Sequence, residues 1–223
     1  TGACLFSLVR ACLADRQRVM AVAISFLVAA GLCGGALLSL SEQTGSAAPA
    51  IAITAAFLLA LSAAAIGAAK GRRLEMMILA APAVAVWLWG GLLALVEASA
   101  GVDAILSDTW YPTGRAHAYG LSIILSGLTI LATGAAIAGR VHSITLNLAL
   151  MVGISVAGIW MILQQLALGM QGMPARYMDY ADAFSGTHAS AGAAGFALLA
   201  LASLAALRFL FLGRKAPGPQ EMF

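Results

Sequence analysis

Long apolar stretches separated by short polar breaks make up most of the chain. Apolar runs occupy about residues 19–40, 48–69, 74–96, 118–139, 144–169 and 188–212. A hydrocarbon core of about 30 Å takes roughly 20 helical residues to cross, so the pattern predicts an all-α integral membrane protein of six transmembrane helices over 19–212. Residues 1–18 set Arg10, Asp15, Arg16 and Arg18 among Leu, Phe and Val, which fits equally a segment lying on the membrane surface before the first span or a positively charged flank of that span. Residues 213–223 form a polar tail with two prolines. No break is long enough to fold as a hydrophilic domain of its own.

Composition strengthens this picture. Of 223 residues, 62% are hydrophobic and 9% charged, and the mean hydropathy is +0.96; about a quarter of a soluble domain is charged. The net charge of +3 does not point to nucleic acid, because the basic residues are spread over several short loops rather than gathered on one face. They indicate topology instead. With both termini cytoplasmic, Arg10, Arg16, Arg18, Lys70, Arg72, Arg73, Arg140, Arg208, Arg214 and Lys215 all fall inside, leaving Arg115 and Arg176 outside. The outer face is then acidic, with Glu42, Glu97, Asp103, Asp108, Asp179 and Asp182. Cys4, Cys12 and Cys33 show neither a disulfide framework nor a metal-ligand spacing.

Candidate chemistry concentrates in the outer breaks. The third span carries Pro82, Trp87, Trp89 and Gly90-Gly91, and its proline is expected to free a carbonyl for another partner. Trp110 and Tyr111 suit an interfacial belt. Pro112 with Gly114 is expected to break the helix, after which Arg115, His117 and Tyr119 enter the fourth span. Gln164 and Gln165, near the outer end of the fifth, need hydrogen-bond partners. Residues 172–184, GMPARYMDYADAF, crowd Arg176, Asp179 and Asp182 between two apolar runs, where none of them can stay unpaired in hydrocarbon. None of the apolar interiors carries the ionisable residue an ion path requires, which disfavours a transporter or channel.

These outer segments resemble the C-terminal third of subunit I of the haem-copper oxidases, the family of cytochrome c oxidase. There the loop between the last two helices reads GMPRRY-x-DYPDA followed by an aromatic residue, against GMPARYMDYADAF here. Residues 90–122, GGLLALVEASAGVDAILSDTWYPTGRAHAYGLS, are similar to the run leading into the family's tenth helix, and QQLALGMQGMP at 164–174 echoes PQHFLGLSGMP. The resemblance covers roughly residues 74–212, whose four helices would correspond to the family's ninth to twelfth.

What the resemblance implies for individual residues is partial. Arg176 matches the second arginine of a pair that contacts haem propionates, while the first is Ala175. Asp108 matches the acidic member of a pair that helps hold magnesium, while its histidine is Ser107; with Asp103 or Glu97 it is the candidate for a divalent ion. In the ungapped register from Asp108, Arg115 replaces the histidine that ligates the high-spin haem and His117 matches the one that ligates the low-spin haem. One residue must be inserted before Leu121; placed earlier, it aligns Tyr119 with the family tyrosine and turns both histidines into alanine. The copper site needs converging imidazoles, and the chain has only His117, His142 and His188, so copper is not expected.

Three readings follow. The leading one is a degenerate relative of subunit I, without the oxygen-reducing centre, that serves as an accessory membrane subunit of a larger respiratory complex in a bacterial-type inner membrane. A second is an electron-transfer cytochrome holding one haem edge through His117, Arg176 and Arg115. The third is one fragment of a split oxidase subunit. The bland alternatives are an interfacial histidine for His117 and an ion pair with Asp179, Asp182 or Asp108 for Arg176. Expected partners are other membrane subunits and the bilayer, not nucleic acid.

Overall fold

The computed structural model describes residues 48–68, 72–97, 100–174, 182–212 and 214–215. The expected surface segment 1–18, the first apolar run, the three cysteines, Lys70, Arg176, Asp179 and the end of the tail lie outside the described residues. The described chain is helical almost throughout: α1 Ala48–Ala68, α2 Arg73–Glu97, the short α3 Ala100–Leu106, α4 Tyr111–Ile137, α5 Ile144–Met170 and α6 Asp182–Phe211. Two-residue strands β1, Arg140–Val141, and β2, Arg214–Lys215, pair antiparallel.

Four helices, Leu74–Glu97, Tyr111–Ile137, Ile144–Met170 and Asp182–Phe211, are long and apolar enough to cross a membrane. Their backbone hydrogen bonds close within each helix, which is what hydrocarbon demands of a spanning segment. The chain is thus a multi-pass helical membrane protein. Of the two other expected spans, 48–69 is helical over Ala48–Ala68 as α1, and 19–40 falls outside the described residues.

The centre of the bundle is α4, which packs against α1, α2, α5 and α6. In its most apolar stretch 72% is buried inside the protein, against 22% for α6. The reason is visible in its sequence, where Ser122, Ser126, Thr129 and Thr133 recur on one helical face and are all fully buried. Ser122 Oγ donates to the Ala83 carbonyl at 2.8 Å and Thr129 Oγ1 reaches that of Leu79 at 3.4 Å. Both acceptors flank Pro82, so short hydroxyl side chains tie α4 to the proline-bearing stretch of α2 and permit close approach. Elsewhere Trp87 Nε1 donates to Ala52 O across α1 and α2, and Trp160 Nε1 to Ser190 Oγ across α5 and α6.

The start of α4 corrects one expectation. Pro112 does not break a helix; it sits in the first turn of α4, which begins at Tyr111. A first-turn amide has no intrahelical acceptor, so a missing N–H costs nothing there. In place of a capping side chain on Trp110, Thr109 Oγ1 accepts from the Tyr111 N–H at 3.2 Å.

Candidate functional site

Charge divides between the two ends of the bundle. One end gathers Arg72, Arg140, His142 and Arg208; the other, where α2 ends and α4 begins, gathers Glu97, Asp108, Arg115, His117 and Asp182. The second is the end that sequence reasoning marks as a candidate site.

Its geometry begins with the termination of α5. Gly172 takes φ +78, a left-handed conformation that favours glycine. The Gly172 N–H then donates to Gly169 O at 3.0 Å and the Met173 N–H to Leu168 O at 3.0 Å. This is a Schellman cap, completed by the burial of both Met173 and Leu168. The capped chain turns back on α4: the Trp110 N–H donates to Met173 O at 3.1 Å, and Thr109 bridges Pro174. The Gly-Met-Pro run at 172–174 and the Asp-Thr-Trp run at 108–110, remote in sequence, therefore form one joined surface.

Beside this joint, Arg115 of α4 pairs with Glu97 at the end of α2, their side chains 17% and 8% exposed. Each is placed unfavourably for its helix, an acid at a C-terminus and a base near an N-terminus. It is therefore their mutual attraction, rather than the helix dipoles, that offsets the loss of hydration. His117, two residues further along α4 and exposed, holds Gln165 of α5 through Nδ1 and Oε1 at 2.8 Å. Gln165 is buried, so of the two glutamines expected to need partners this one has His117. His188, near the start of α6, lies instead against the Trp110 ring, centroids 5.3 Å apart.

The candidate residues are thus distributed as follows. Arg115 and His117 share the N-terminal end of α4, with Arg115 engaged by Glu97. Asp108 is exposed in the turn after α3. Arg176 lies outside the described residues. Among the described residues no three His, Cys, Asp or Glu side chains gather as a metal-ligand group. For a haem, the fit is one-sided. With its Nδ1 proton on Gln165, His117 carries its lone pair on Nε2, the arrangement of a ligating histidine oriented by a neighbouring oxygen. The structure sets the His188 ring against Trp110.

Two features escaped the sequence. Glu97 was legible as an outer acid but not as the partner of Arg115, because the choice depends on how α2 and α4 are rotated. The arginine-surrounded His142 at the opposite end was legible only as a loop histidine. No protein-family model, curated protein or solved structure matches this chain.

Proposed function

We propose that this chain is a non-catalytic, accessory membrane subunit of a larger respiratory or redox complex, a degenerate relative of oxidase subunit I in a bacterial-type inner membrane. The reading rests on the resemblance across residues 74–212. The observation that carries it is the joint between Thr109-Trp110 and Met173-Pro174. It brings together two separately resembling segments through backbone bonds that need no cofactor. A membrane subunit uses such a platform to present outer loops to its neighbours. In α6, Ala183, Gly186, Ala189 and Gly192 add small, exposed positions, and small residues let helices of neighbouring chains approach closely.

The test is isolation of the full chain from native membranes in mild detergent, followed by mass spectrometry of what accompanies it. Redox subunits in fixed stoichiometry are the expected result; a chain that runs alone, or only with non-redox proteins, sinks the reading.

A second reading is supported by one observation, the His117–Gln165 hydrogen bond. In this version the chain is a cytochrome, with His117 Nε2 facing iron and Arg176 a propionate. A bound haem would supply one-electron redox chemistry; the protein's part is to orient His117 and neutralise the propionate. A Soret band that disappears in His117→Ala supports the cytochrome, and a purified protein without one eliminates it.

A further inference from the structure

The unexplained chemistry of this molecule is at its other end. His142, between β1 and α5, is 7% exposed, and neither ring nitrogen has a hydrogen-bond partner among the described residues. A neutral imidazole always carries one N–H, and a buried donor without an acceptor keeps its desolvation penalty uncompensated. One edge of the ring is settled against Phe209, with centroids 5.8 Å apart and planes at 82°.

Around it stand cations from three separate places in the chain. Arg72 precedes α2, Arg140 lies in β1 and Arg208 in the last turn of α6, all near enough to act on the charge of His142. Their counterions are few. Arg72 is held by Glu75, with Nε–Oε2 at 2.8 Å. Among the described residues, Arg140 and Arg208 meet neutral acceptors, the Leu210 carbonyl and Asn147 Oδ1 respectively. The β1–β2 pairing adds Arg214 and Lys215 to the same end. An imidazole donor with no acceptor, and two guanidiniums with no carboxylate, among the described residues call for the same thing, an oxyanion with several acceptor oxygens. A phosphate group offers this, and its negative charge strengthens every bond it accepts.

We propose that the basic end of the bundle is a binding site for a phosphate-bearing anion, with His142, Arg140 and Arg208 as its donors and Arg72 as a supporting charge. The site lies at the ends of spanning helices, the level at which phospholipid headgroups sit, and basic pockets between transmembrane helices take acidic headgroups. The half-buried arginine side chains are long enough to swing aside as the anion enters and close over it afterwards. Phosphatidylglycerol in the surrounding bilayer and free inorganic phosphate share the required chemistry.

Native mass spectrometry of the purified full chain, presented with equimolar phosphatidylglycerol and phosphatidylcholine, provides the test. At least tenfold preferential retention of phosphatidylglycerol is expected. In His142→Phe, which keeps an aromatic ring against Phe209 and loses the donor, that preference falls at least fivefold. Arg140→Gln/Arg208→Gln lowers it further. Inorganic phosphate that raises the melting temperature of lipid-free protein and displaces the lipid identifies the free anion as a ligand; stabilisation by phosphatidylglycerol alone identifies the headgroup. Equal retention of the two lipids by the wild-type chain, with no effect of phosphate, overturns the proposal whether or not the variants fold. So does an unchanged preference in a folded His142→Phe.

Discussion

The Arg115–Glu97 pair gives the sharpest quantitative handle on how the end of α2 is held to the start of α4. Replacing Arg115 by Gln leaves the Glu97 carboxylate, 8% exposed, without the cation it was folded against. Removing one partner of a buried pair costs about 3–5 kcal/mol, because the survivor keeps its desolvation penalty and loses its compensation. For a chain of this size, each kcal/mol corresponds to roughly 2–4 °C in melting temperature. A fall of about 6–20 °C is therefore expected for Arg115→Gln, and a similar one for Glu97→Gln, which leaves the arginine unpaired. The double variant Glu97→Leu/Arg115→Met replaces both charges with apolar side chains of comparable size and should recover most of the loss. Thermal unfolding in detergent, followed by tryptophan fluorescence, measures all three. If the single variants melt within a degree of wild type, the pair is a solvated surface contact and the burial argument is wrong. If the double variant is as poor as the singles, the charges matter through other partners.

Two further outcomes follow from the geometry. A Cβ added at Gly169 would lie 2.7 Å from both Cα and Cβ of Tyr111, whereas one added at Gly192 meets nothing within 4 Å. Gly169→Ala should therefore lower stability by about 1–3 kcal/mol as α4 and α5 are forced apart, while Gly192→Ala is neutral or slightly stabilising; equal melting temperatures for the two would refute the close approach. Burial and, secondarily, Arg208, Arg72 and Arg140 push the His142 pKa below its ordinary value. The unfolded chain then takes up a proton near pH 6.5 that the folded chain refuses. Stability is full above that pH and declines as pH falls through the window below it, by at most about 1.4 kcal/mol per unit. Delipidated wild type should show this slope in a melting series, and His142→Phe should be flatter.

Much of the architecture was legible because it depends on local rules. Apolar run length located α1, α2, α5 and most of α4 and α6, since each spanning helix must satisfy its own backbone. The helix boundaries were harder to see at the outer end. Tyr111–Ala116 and Asp182–Thr187 are polar enough to read as loop, yet they are helical, α4 starting on its proline and α6 at Asp182. The Gly-Met-Pro run stood out in the sequence only through a resemblance. The fold shows that its glycine and methionine have a structural use independent of any cofactor, the capping of α5.

What the sequence determined unaided is the class of the protein and the sorting of charge to opposite ends, because hydrocarbon penalises polar groups wherever a helix crosses it. What only the tertiary structure decided is which polar groups meet. Glu97 with Arg115, His117 with Gln165, His188 with Trp110 and the arginines around His142 are each set by the rotation of one helix against another. That rotation comes from packing, from the serine and threonine face of α4 on α2 and the close approach of Gly169 to Tyr111. Helix periodicity alone is blind to it, because helices that are apolar on every side carry no sequence record of which side faces a neighbour.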